Sequence, residues 1–166
     1  MAHNPLAVAN YFLELAKTTG GLDPMKVQKL IYFAHGWHLA LHGENAPLIN
    51  EPTQAWEYGP VVQSVYHEFK SFGGSKIDRL GTDFDMATGQ EFTPRVPLSD
   101  EQAIPLLNKI WEIYGKYSGL QLSHLTHQVG SAWYKTRQAN PGMRFAVIQN
   151  ADIRAEFAAK VQHPAQ

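Results

Sequence analysis

Apolar residues recur at helical spacing along most of the chain, and helix-start signals cut the pattern into segments. Asn4 precedes Pro5, a capping residue followed by a proline at the favoured first position, and Val8, Tyr11, Phe12 and Leu15 share the face that follows. Gly20-Gly21 ends this helix. Asp23-Pro24 repeats the signal and opens a second helix to about Leu41, with Gly43 just beyond. Val27, Leu30, Ile31, Ala34, Trp37 and Leu41 are its apolar set, and Phe33 and Leu39 add apolar surface elsewhere. A helix apolar on several sides is expected at the centre, packed on by its neighbours.

Gln54 to Tyr58 reads as a short extended segment that Gly59-Pro60 breaks. Pro60 suits the first turn of a third helix bearing Val61, Val62, Val65, Tyr66, Phe69 and Phe72, closed by Gly73-Gly74. From Ser75 to Leu98 the pattern weakens, which predicts a long loop or an irregular β-hairpin turning near Thr88-Gly89. Ser99-Asp100-Glu101-Gln102 has the form of a capping box before a fourth helix carrying Ile104, Leu107, Ile110, Trp111 and Tyr114. Pro105 lies late for a first turn, so a kink or a later start is expected. Ser118 and Gln121 form a second capping box, opening a fifth helix with Leu122, Leu125 and Val129. Ser131 caps a short piece through Arg137, Asn140-Pro141-Gly142 turns the chain, and Asn150 caps a last helix with Ile153, Phe157 and Val161. The expected fold is mostly α: one compact domain over residues 1–166, a helical bundle with a small β element or hairpin.

Length changes this picture little, since 166 residues suit one domain. Such a chain buries roughly 70% of the surface it exposes when unfolded, so it needs no cross-link to fold. The absence of cysteine excludes a disulfide framework, a thiolate zinc site, iron–sulfur ligation and a cysteine nucleophile. It also fits a reducing compartment. Fourteen basic and 15 acidic residues are interspersed, with no basic stripe of the kind nucleic-acid binders carry. No apolar run approaches the ~20 residues of a membrane span. Met1 to Leu6 lacks the basic-then-apolar order of a signal peptide. The expectation is a cytoplasmic protein with neither nucleic acid nor membrane as partner.

Eight histidines are the obvious source of chemistry. His35, His38 and His42 fall three and four residues apart, near one helical face, and His124 and His127 repeat the spacing of three. Two such pairs facing each other suit a metal ion held by imidazole nitrogens. Neither pair has a Glu beside its first His, as a zinc-hydrolase helix would, and the helix with His67-Glu68 has no second His. The plainer reading is helix histidines satisfied by hydrogen bonds. No Gly-x-Ser-x-Gly elbow and no phosphate-cradling glycine loop occurs. No catalytic residue, metal or cofactor is therefore expected, with a metal-dependent enzyme built on the histidine pairs as the alternative.

Trp56, Tyr58, Gly59 and Pro60 are the most informative cluster. Aromatics one residue apart on an extended segment point to the same side. They either pin the segment to the second helix as core, or leave one ring half exposed to anchor a protein partner. The patternless stretch from Ser75 to Leu98, with Asp83, Asp85 and Glu91, is either a recognition surface on a rigid scaffold or a tolerated insertion. These seven residues are the protein-binding candidates.

At this point the chain resembles the Panacea domain, the SocA-like antitoxin domain also described for phage-associated GepA-like proteins. The resemblance is carried by Val8-Ala9-Asn10-Tyr11-Phe12-Leu13, by Met25 through Trp37, and by Ala55-Trp56-Glu57-Tyr58-Gly59-Pro60-Val61-Val62 with Val65-Tyr66. It resumes at Tyr114-Gly115, Leu122, Leu125, Thr126-His127 and Trp133, where Ala132 stands in place of the family's frequent proline. It implies a non-catalytic antitoxin of a toxin–antitoxin system, which neutralises a cognate protein toxin by binding it or by acting as an adaptor that delivers it to a cellular protease. The histidine alternative has a direct check. Purified protein is expected to contain no stoichiometric zinc, and one zinc per chain that is lost on His124→Ala would contradict this.

Overall fold

The structure is a computed structural model and describes residues 1–162. Helices α1 (Pro5–Leu15) and α2 (Pro24–His42) begin at their proline signals. The Asn4 side chain accepts from the Leu6 N–H, and that of Asp23 from the Lys26 N–H. Strands β1 (Thr53–Trp56) and β2 (Gly59–Val61) form a hairpin, and α3 (Gln63–Phe69) follows. Strands β3 (Asp83–Phe84) and β4 (Glu91–Phe92) make a second, smaller hairpin. Then come α4 (Ala103–Tyr114), α5 (Gly119–Thr126), α6 (Ala132–Ala139), β5 (Val147–Ile148) and α7 (Asn150–Gln162). The described residues thus form a mostly helical bundle with only small antiparallel sheets. No helix among them is long and apolar enough to cross a membrane.

Helix α2 is central because it is buried on all sides: α1, α4, α5 and α7 all pack on it. The closest approach is to α7, where Gly36 lies under the ring of Phe157. That ring also meets Tyr32, Phe33 and Trp37 edge-on. Glu156 ties three helices together there. Its Oε1 accepts from the Tyr32 hydroxyl at 2.9 Å and from the Ala132 N–H of α6 at 3.0 Å.

Strand order in the larger sheet is β2-β1-β5, with Trp56 opposite Gly59 and Thr53 opposite Ile148. The return strand corrects one sequence expectation. Gly59-Pro60 does not break the extended segment but continues it, and Pro60 sits in β2 rather than opening α3. Proline is tolerated there because β2 is an edge strand. The capping box expected at Ser99 is replaced by Asp100, whose carboxylate accepts from the Gln102 and Ala103 N–H groups. Helix α4 therefore starts late, which places Pro105 in its first turn. The second capping box, Ser118 with Gln121, forms as expected. Helix α5 stops at Thr126, which leaves Val129 outside it and exposed. Leu41 and Val161, counted as core from spacing alone, are exposed too. At α7 the Gln149 carbonyl, not the Asn150 side chain, takes the first N–H groups, and Asn150 turns to His35 instead.

Within the stretch from Ser75 to Leu98, the two flanks of the β3–β4 hairpin are clamped by one buried side chain. Asn10 of α1 donates to the Gly81 and Pro94 carbonyls, both at 3.0 Å, and accepts from the Gly81 N–H at 2.7 Å. The β3–β4 hairpin stands between these two clamped points. The Gly36 contact generates a prediction. A Cβ there would lie 2.2 Å from the Phe157 ring, against four packed aromatics. Alanine gains about 1 kcal/mol of helix propensity over glycine, but overpacking costs about 1–3 kcal/mol or more. Gly36→Ala is expected to lower the melting temperature, and a variant melting at or above the parent would contradict this packing.

Candidate functional site

The candidate site is the β1–β2 hairpin and the groove beside it. Glu57 and Tyr58 form a two-residue turn, and Gly59 follows with φ +118°, where an L side chain is strained. Space is also lacking: a Cβ on Gly59 would meet Lys29 Cε at 2.8 Å and Thr126 Oγ1 at 3.0 Å.

Side chains from three helices hold the hairpin by its carbonyl groups. Arg137 Nη1 donates to Ala55 at 3.1 Å, and Trp133 Nε1 to Trp56 at 2.7 Å. His127 Nε2 lies 3.2 Å from the Glu57 carbonyl, and Ser123 Oγ donates to Tyr58 at 2.6 Å. Lys29 Nζ donates to Pro60 at 3.1 Å. Gln28 closes the outer edge of β2 by pairing with both the N–H and the carbonyl of Val62. A buried ammonium with a single backbone acceptor is costly to keep charged, and burial alone lowers the Lys29 pKa to about 7.

Trp56 is half-buried, with its ring edge-on to Tyr66 at 4.7 Å between centroids and beside Phe145 at 4.8 Å. Tyr58 lies in the turn and is 67% exposed, so it does not share the setting of Trp56. Beside these rings runs a groove of about 690 Å³, lined also by Lys29, Arg137 and Arg144. That volume is in the range of ordinary ligand sites. Asp83, Asp85 and Glu91 lie on the other hairpin. Asp83 accepts from the Asn4 side chain, and Asp85 and Glu91 face solvent. The described contacts of that hairpin run to α1 and to the Gly81 and Pro94 ends of its own loop, not to β1–β2.

Two histidines of the α2 set are hydrogen-bonded to protein groups. His35 Nε2 lies 3.1 Å from Asn150 Oδ1, and His38 Nδ1 lies 2.8 Å from the Ala46 carbonyl. Burial lowers the His35 pKa to about 4, against the Asn150 hydrogen bond, and holds the ring neutral. Among the described residues no three His, Asp or Glu side chains come together to hold a metal ion.

A family model described as "Antitoxin SocA-like, Panacea domain" matches residues 27–134. The chain belongs to this family. Antitoxin SocA of Caulobacter vibrioides (strain NA1000 / CB15N) is 31% identical over 128 residues, which is 76% of this chain and 66% of that protein. No solved structure matches the chain. The Panacea-domain span contains Lys29, Trp56, Gly59, Pro60, Ser123, His127 and Trp133, so most of the hairpin's anchors fall inside it. Arg137, Arg144 and Phe145 lie beyond it.

The sequence offered Trp56, Tyr58, Gly59 and Pro60 as candidates, and the structure sets them beside Lys29, Tyr66, Arg137, Arg144 and Phe145, which the sequence did not offer. A charged residue at a core position of the second helix was the available signal for Lys29. The others meet only in three dimensions. Lys29 yields a pH prediction. Between about pH 7 and 10.5 the unfolded lysine is protonated and the folded one is neutral, so stability rises with pH there, by up to about 1.4 kcal/mol per unit. Denaturant titrations should show the parent gaining stability over Lys29→Met across this window, and a pH-independent difference would contradict the burial.

Proposed function

We propose that this chain is a non-catalytic antitoxin that neutralises a protein toxin by binding it with the face carrying the Trp56–Pro60 hairpin and its groove. The observation that carries the reading is membership of the SocA-like family, together with the name of the relative. The site's chemistry agrees. The lysine and histidine at the hairpin are spent on backbone carbonyls. Tyr58 projects from a braced turn, the form of a rigid aromatic anchor. Asp83, Asp85 and Glu91 on the clamped β3–β4 hairpin form a second contact with the toxin. Its action lies in the cytoplasm.

Co-expression with the product of the adjacent gene tests this, scored for growth and co-purification. Rescue of growth by the parent chain is expected. Tyr58→Ala should weaken the complex by roughly tenfold or more at an unchanged melting temperature. Joint reversal of Asp85 and Glu91 to lysine tests the second contact in the same assay. Full rescue and co-purification by all these folded variants would move the binding face elsewhere. Toxin that disappears from rescued cells in a protease-dependent way marks delivery for degradation, and toxin that accumulates in the complex marks sequestration.

A further inference from the structure

The groove's lining is chemically one-sided. Lys29, Arg137 and Arg144 face it, against the single acid Glu57 at its rim. Lys29 is committed to the Pro60 carbonyl, which leaves the two arginines. Arg137 spends one Nη1 on Ala55, and its guanidinium lies 5.8 Å from the Trp133 ring centre, so its orientation is set. Arg144 is exposed, and neither arginine forms an ion pair among the described residues. The same groove is lined by the partly exposed rings of Tyr66 (38%) and Phe145 (53%), both in contact with Trp56. Aromatic rings that remain open to solvent beside unpaired arginines have the composition of an interface core. A second depression continues past Arg137 and Arg144 along Asn140 and Met143, so the site is extended rather than a closed pocket.

Backbone pairing is closed to any occupant at β2, because Gln28 and Lys29 already fill its outer edge. Recognition therefore falls to side chains. An arginine fork matches a carboxylate bidentately, and the rings offer a seat for one flat or branched side chain.

We propose that the groove takes an acidic segment of the partner protein, seating one aromatic or large apolar side chain against Trp56, Tyr66 and Phe145 and pairing its carboxylates with Arg137 and Arg144. The inference rests on the partner-binding reading above and names the chemistry that the partner presents.

Panning a random displayed-peptide library on the full chain tests it without the toxin in hand. Selected peptides are expected to combine Asp or Glu with an aromatic residue. Synthesised and measured by fluorescence anisotropy, they should bind Arg144→Gln roughly tenfold more weakly than the parent. Arg144 makes no described hydrogen bond, so this variant keeps the parent's melting temperature. Trp56→Leu should weaken the same peptides. Basic, neutral or absent consensus sequences would overturn the proposal, as would unchanged binding to Arg144→Gln. Self-association of the chain that is lost on Arg144→Glu would overturn it too, since a second copy would then be the occupant. Growth rescue is read separately. A chain that rescues cells yet ignores acidic peptides remains an antitoxin and refutes this assignment, whereas acid-selective binding without rescue refutes the antitoxin reading alone.

Discussion

The hydrogen bond from the buried Lys29 amine to the Pro60 carbonyl, under the β1–β2 hairpin, is the contact on which the rest of the site depends. Lys29 stands on the central helix α2 and reaches its only described acceptor, the Pro60 carbonyl, past the bare Cα of Gly59. Burying it is expensive, and its lowered pKa reports that expense. In return the hairpin is fixed to the centre of the bundle at the point where the chain leaves the sheet for α3. Four further carbonyls, Ala55 through Tyr58, then meet donors or ring nitrogens from α5 and α6. A turn held at five of the six carbonyls from Ala55 to Pro60 has little freedom to rearrange, and the groove that it walls is preformed.

Several residues that carried the family resemblance turn out to be these anchors. Trp133 and His127 reach the hairpin's backbone, and Gln28, Lys29 and Gly59 let α2 approach it. Their part is architectural: they fix the hairpin and the groove beside it. In the proposed binding face, the exposed groups come from Tyr58, Arg144 and Phe145.

The helices were legible because caps and apolar spacing are local properties. Asn4, Asp23, Ser118 and Ser131 accept backbone N–H groups as their positions suggest. Pro60 was misread because a proline after glycine signals a helix start as well as an edge strand, and only pairing with Ala55 decides between them. Val129 and Leu41 were misread because spacing shows a face but not whether anything covers it. The β3–β4 hairpin was readable as one of two alternatives, with its turn near Thr88-Gly89, but its place was not, since that depends on Asn10, far away in sequence. The groove was the least legible part, because Phe145 reaches Trp56 only through the pairing of β5 with β1.

The most direct test of this account is an NMR titration of Lys29 through its 13Cε resonance, with the Trp56 and Trp133 indole signals followed in parallel. A Lys29 midpoint near pH 7 is expected, with both indoles shifting along the same curve, because Lys29 and Trp133 hold the hairpin that carries Trp56. A midpoint near the ordinary lysine value of about 10.4, with indoles indifferent to it, would contradict the claim that Lys29 is buried against the hairpin's backbone.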